Sequence, residues 1–230
     1  MHSVGVRQHI VDRVMARRGR YHLFDALDPA RTAFVIIDMI NMFVEPGAPA
    51  EVPPSRGIVD NINGLTEKLR NLGARIIWIT SPIMSNGTDS EWNLLFDLIV
   101  SDDMRERTMK ASLPGSRGQQ LWPELVVADS DFHAPKNRYS AMIGGSSPLE
   151  RLLRSLGVDT VLIGGTKTNV CCESTARNAM MLDFNVVMVE DCNAALSDEE
   201  HQAALETIIQ QFGDVMTADE ILAVLSEVRT

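Results

Sequence analysis

From residue 32 onward the chain alternates between short, almost wholly apolar runs and longer stretches in which apolar side chains recur every three or four positions. Thr32-Ala33-Phe34-Val35-Ile36-Ile37 has no polar face and stops at Asp38. Such a run marks a strand buried on both sides. Residues 75–80, 160–163 and 186–189 read the same way, and a short extended segment ends near Lys136. Between them, residues 55–72 carry Ile58, Val59, Ile62, Leu65 and Leu69 at helical spacing and close on Gly73, where a left-handed residue ends a helix. Ser147 and Pro148 open a further helix with the stripe Leu149, Leu152, Leu153 and Leu156, an N-cap followed by proline at the first position. Residues 170–182, 197–212 and 217–228 complete the helices, with Ala204, Leu205, Ile208 and Ile209 on one face of the second of these. Strand and helix alternate, which predicts an α/β fold: a three-layer αβα arrangement around a central, mostly parallel sheet.

Two stretches break the alternation. Residues 39–54 hold Pro46, Pro49, Pro53 and Pro54 and read as a loop. Residues 81–132 show one helical pattern near 92–100, after which Pro114, Gly115, Gly118 and Pro123 interrupt any period; this excursion is placed to cover a site. Ahead of the first strand, residues 1–30 form an arm. Its helical spacing over 4–17 and its arginines resemble a transit peptide, but Asp12 and the lack of serine argue for a helix packed on its own domain or on a neighbouring subunit. Residues 31–230 then form a single domain.

Composition narrows the function. The net charge of −10 disfavours phosphate backbones and anionic lipid, so neither nucleic acid nor a membrane is an expected partner. No stretch has the apolar length of a membrane span or the layout of a signal peptide. The three cysteines, two of them adjacent, fit neither a disulfide framework nor a structural zinc site. A cytoplasmic protein acting on a small molecule is the expectation.

In parallel sheets ligands bind beyond the carboxyl ends of the strands. Asp38 ends the first strand, Lys136 follows a middle one, and Cys171 follows residues 160–163 at the start of the next helix. Gly164 and Gly165 allow a sharp turn there. Unpaired N–H groups at a helix start, with a nearby ammonium, favour thiolate over thiol. A carboxylate, an ammonium and a thiol at one sheet edge supply a nucleophile with its base. Singly, each has an ordinary explanation as a turn former, a surface charge or a packed thiol.

Three segments carry a family resemblance: Val35-Ile36-Ile37-Asp38-Met39, Lys136-Asn137-Arg138-Tyr139-Ser140, and residues 165–177 with Thr168-Asn169-Val170-Cys171 at their centre. Over roughly residues 32–225 the chain resembles the isochorismatase-like cysteine hydrolases. The resemblance implies a catalytic triad of Asp38, Lys136 and Cys171, a cis peptide between Thr166 and Lys167, and an oxyanion hole from the N–H groups of Lys167 and Cys171. Cys172 falls where relatives usually carry valine, which implies a packing role. Isochorismate hydrolases proper lack the cysteine. Nicotinamidases hold a metal with an Asp-x-His pair and a further His, whereas beyond residue 22 this chain has only His133 and His201. The segment around Cys171 looks most like the biuret, ureidoacrylate and N-carbamoylsarcosine amidohydrolases.

The resemblance therefore implies cleavage of a ureido, carbamoyl or amide C–N bond through a thioester, with release of ammonia and with no metal or cofactor. A maleamate- or nicotinamide-type amide hydrolase, and a non-catalytic binding or redox member, remain open. Asn41, Phe43, Tyr139 and Asn169 lie near the triad in sequence and are candidate substrate contacts. Ile40, where many relatives have glutamine, and a longer 143–148 segment bear on the substrate. Arg177, six residues past Cys171, reads as a structural ion-pair partner. A homo-oligomer, dimer or tetramer, is expected from the family and from the apolar residues of the arm.

Overall fold

The computed structural model describes residues 2–86 and 88–226. Residue 1 of the arm and residues 227–228 of the last expected helix lie outside them. Six strands, β1 (Thr32–Ile37), β2 (Arg75–Thr80), β3 (Phe132–Pro135), β4 (Thr160–Thr166), β5 (Asn185–Ala194) and β6 (Asp214–Met216), form one sheet in the order β3-β2-β1-β4-β5-β6. Every neighbouring pair is parallel. The helices are α1 (Gln8–Arg18), α2 (Asn41–Val44), α3 (Val59–Leu72), α4 (Asp102–Ser112), α5 (Leu149–Ser155), α6 (Glu173–Met181), α7 (Asp198–Gln211) and α8 (Ala218–Ser226). None of the described helices is long and apolar enough to cross a membrane.

The apolar run of β1 is buried at all six positions, because its side chains alternate between two cores. Ala33, Val35 and Ile37 pack with Ile10 and Val14 of α1, Leu153 of α5, Ala176 of α6 and Leu205 of α7. Phe34 and Ile36 face α3 and α8 through Ile62, Leu65 and Ile221. Burying the sheet on both faces is what a parallel arrangement requires.

The arm lies on its own domain. The Arg7 guanidinium donates to both carboxylate oxygens of Glu206 on α7, at 2.7 and 2.5 Å, and Ile10 and Val14 are buried. Further along, the buried Asp214 carboxylate of β6 accepts from the N–H groups of Leu23 and Phe24. Ile10 and Val14 of α1 are thus covered without a second subunit, whereas Met15 stays exposed.

Several elements depart from the sequence pattern. β4 continues through Gly164 and Gly165, so the glycines lie within the strand and not in the turn after it. A Cβ on Gly164 would meet the Phe34 ring at 2.8 Å, and one on Gly165 would meet the Ile37 carbonyl oxygen at 2.0 Å. Close approach of β1, together with a φ of +112° at Gly165, is the reason for glycine there. β6 carries no strand signal because it is three residues long and opens on a buried Asp. The 81–132 segment contains α4, and the helix expected near 92–100 is a single π-helical turn, Leu95–Ile99. Residues 55–58, expected as the start of α3, belong instead to a 3-10 turn, Pro53–Ile58.

Candidate active site

Asp38, Lys136 and Cys171 meet beyond the carboxyl ends of β1, β3 and β4. Asp38 is left-handed, with φ of +57°, and its N–H donates to the carbonyl of Ile79 on β2. Short polar side chains tolerate that conformation better than bulky ones. The Lys136 N–H donates to the Thr80 carbonyl, which carries the chain one residue beyond the β2–β3 pairing. The Lys136 ammonium then reaches back across the sheet edge. Its Nζ lies 2.8 Å from Asp38 Oδ2, 2.7 Å from Ser81 Oγ and 3.5 Å from Cys171 Sγ. Ser81 follows β2 and donates its hydroxyl hydrogen to Asp38 Oδ1. Asp38, Lys136 and Cys171 are 0%, 2% and 4% exposed.

The nucleophile segment is a π-helical turn, Thr168–Cys172, that runs directly into α6. It follows the Thr166–Lys167 peptide, which is cis. Two hydroxyls hold the turn. Thr175 Oγ1 donates to the Cys171 carbonyl at 2.7 Å and accepts from the Ala141 N–H. Thr168 Oγ1 lies 2.9 Å from His201 Nδ1, and the His201 ring stacks on His2 of the arm, with centroids 4.3 Å apart. Burial lowers the His201 pKa to about 4, with the neighbouring His2 adding to the effect. Cys172 is fully buried in the core, its Sγ 3.8 Å from the Gly164 carbonyl oxygen, and does not line the cavity.

The electrostatics reverse the expectation of a resting thiolate. Burial raises the Cys171 pKa to about 12; Lys136 pulls it down and Asp38 pushes it up. Removing water costs the anion more than one ammonium and a helix start return. Cys171 therefore rests as a thiol with its base alongside. For Lys136, burial acts to lower the pKa, but the Asp38 carboxylate beside it outweighs burial and the value stays high, at about 12. The ammonium stays charged.

The triad opens into a cavity of about 200 Å³. Phe43 and Tyr139 line it, as expected from the sequence, with Met42, Ile83, Leu95 and Val170 as further apolar wall. Asn41 and Asn169 do not. Asn41 donates its amide to the Arg117 carbonyl and lines a separate surface depression with Glu45 and Gly47. Sequence proximity misplaces it because successive residues of the one-turn α2 point in different directions. Arg177 pairs with Glu173 at 2.6 Å and lies over the Phe212 ring, away from the cavity.

The sequence reading missed Ser81, the third contact of the Lys136 ammonium, and Gln119, whose Oε1 accepts from the Ser81 N–H. Ser81 was discoverable: it is the residue immediately after a predicted strand, as Asp38 is. Gln119 sits in the irregular 81–132 stretch, which also supplies Trp92, Thr108 and Ser112 to the cavity wall. No local pattern brings these to the triad.

The residues present do not fit a nicotinamidase-type metal. Among the described residues no three His, Cys, Asp or Glu side chains group as ligands. His133 is exposed on β3, and His201 is engaged behind the nucleophile turn.

Residues 32–220 match the family described as the isochorismatase domain. The fold is similar to that of a cysteine hydrolase from Pseudomonas syringae pv. phaseolicola, with 26% identity, 87% of this chain and 95% of that one covered, and a TM-score of 0.78. It is also similar to an isochorismatase family protein from Desulfovibrio vulgaris subsp. vulgaris, with 30% identity, 84% and 98% covered, and a TM-score of 0.71. N-carbamoylsarcosine amidase from Thermoplasma acidophilum shares the fold at 21% identity, with 82% and 97% covered and a TM-score of 0.66.

Proposed function

The chain belongs to the isochorismatase family, and from that premise we propose that it is a cysteine-dependent amidohydrolase cleaving a C–N bond of a small ureido, carbamoyl or amide compound. One observation carries the reading: a buried thiol at the wall of a small cavity lies 3.5 Å from an ammonium that is itself ion-paired to a buried carboxylate at 2.8 Å. A thiol that merely packs needs no charged pair beside it, and burying such a pair is costly unless the site uses it.

In this mechanism the thiol proton moves to Asp38 as Cys171 Sγ attacks the substrate carbonyl carbon, so that no free thiolate has to be sustained in the resting site. Lys136 stabilises the charge that develops on sulfur and holds the carboxylate in place together with the Ser81 hydroxyl. The oxyanion falls to the N–H groups of Lys167 and Cys171. Collapse breaks the C–N bond, and Asp38 returns the proton to the departing ammonia or amine. A water, deprotonated by the same carboxylate, then hydrolyses the thioester and frees Cys171. No step calls for a cofactor. On this reading the protein works in the cytoplasm as a dimer or tetramer; the free, buried Cys171, Cys172 and Cys192 suit a reducing compartment.

The test is an ammonia-release screen over biuret, ureidoacrylate, N-carbamoyl amino acids, maleamate and nicotinamide, followed by intact-mass detection of an acyl adduct on Cys171. Cys171→Ser should abolish turnover. Retained turnover in that variant, or peroxide consumption with an oxidised Cys171 in place of ammonia, rejects the proposal.

A further inference from the structure

We infer that the substrate carries a carboxylate, bound at the cavity wall by Arg138 and Lys167, so that the site selects amides or ureides of small acids over neutral diamides. This rests on the amidohydrolase reading above and narrows it. Three basic residues, Lys136, Arg138 and Lys167, are among those that line the cavity, and no Asp or Glu is, in a chain whose net charge is −10; Arg138 also borders the neighbouring depression beside Ser140 and Ile143. Lys136 is neutralised by Asp38. The other two have no counterion among the described residues.

Arg138 is held in place without being neutralised. Its Nη1 donates to the Asn137 carbonyl at 2.7 Å and its Nη2 to the Glu91 carbonyl at 3.0 Å, while the guanidinium lies 5.1 Å from the centre of the Trp92 ring. Carbonyls and a ring face fix an orientation but carry no compensating charge. The Glu91 carboxylate is committed elsewhere, accepting from the Met84 N–H and from the Asn137 amide. Lys167 makes no hydrogen bond or ion pair through its side chain among the described residues. Its carbonyl accepts from the Cys172 N–H, which ties the residue to the turn that carries the nucleophile.

A small cavity with apolar walls strengthens the pull of such charges on an anion. The apolar residues Met42, Phe43, Ile83 and Val170 suit a short carbon spacer between the carboxylate and the amide. A cavity of about 200 Å³ suits a small acid of this kind.

The experiment compares N-carbamoylglycine, 3-ureidopropionate and maleamate with their methyl esters, which keep the shape and remove the charge. A charge-assisted hydrogen bond corresponds to roughly a tenfold to hundredfold preference, so kcat/KM should favour at least one acid over its ester by about that factor. Arg138→Met and Lys167→Met should each bring that ratio towards one, and Lys167→Arg should restore it. A lesion of folding lowers acid and ester alike and leaves the ratio unchanged. Titration calorimetry of the same pairs against the Cys171→Ala protein reads the preference without turnover. Acid binding tighter than ester binding with no ammonia released by the wild type would keep the anion site and reject the hydrolase. Equal binding of acid and ester, or no binding of any acid, overturns the inference.

Discussion

Alkylation of Cys171 measures the balance between burial and the Lys136 charge. At pH 7.5 a thiol of pKa about 12 is about 4.5 units below its midpoint, so about one molecule in 30,000 is ionised, against about 3% for a thiol at the ordinary value of 9.0. That is roughly a thousandfold deficit in thiolate. A more basic thiolate is also a better nucleophile, with a Brønsted slope of about 0.45, which returns about 1.4 of the three log units. Iodoacetamide should therefore modify Cys171 in the resting protein roughly 40-fold more slowly than it modifies a free cysteine. The rate should climb about tenfold per pH unit, without a plateau, up to about pH 12. Cys192, buried away from any ammonium, has its pKa raised well above the ordinary value by burial and should react more slowly still. Lys136→Met removes the attraction that partly offsets burial and should slow Cys171 further. A plateau with a midpoint at or below pH 8, or modification of Cys171 faster than of free cysteine, would refute the reasoning. It would mean that the ammonium and the N–H groups of the turn outweigh desolvation.

Three further outcomes are expected. The His201 pKa of about 4, against an ordinary 6.5, means that the unfolded chain binds the extra proton first. Stability is then fully present above pH 6.5 and falls by about 3 kcal/mol as the pH drops towards 4; urea midpoints should show this slope in the wild type and lose it in His201→Gln. Gly165→Ala would put a Cβ 2.0 Å from the Ile37 carbonyl oxygen at a φ of +112°, which should cost about 3 kcal/mol or more and leave little soluble protein; wild-type yield and melting temperature would rule it out. Deleting residues 1–28 uncovers α7, leaving Glu206 without Arg7, and should lower the melting temperature without changing the number of chains per particle that light scattering reports. Dissociation to monomers would instead make the arm a subunit contact.

The sequence alone determined the layers of this protein and the three residues at their edge. Apolar runs of about six residues without a polar face, rich in β-branched side chains, mark central strands, and helices between them point to a parallel sheet, whose carboxyl ends then gather Asp38, Lys136 and Cys171. Residues that signal through the local period, such as those of β1 and α3, were legible for that reason. What the tertiary structure decided depends on groups distant in the chain. Gly164 and Gly165 are required by the Phe34 ring and the Ile37 backbone of a neighbouring strand, not by a turn. Ser81 and Gln119 join the site because β2 ends beside β1 and the 81–132 excursion folds back over it. Asn41, adjacent to the triad in sequence, faces another depression. The protonation of Cys171 was least legible of all. A helix start and a lysine can be read in the sequence and both favour the thiolate, whereas the exclusion of water that outweighs them exists only once the chain has closed around the sulfur.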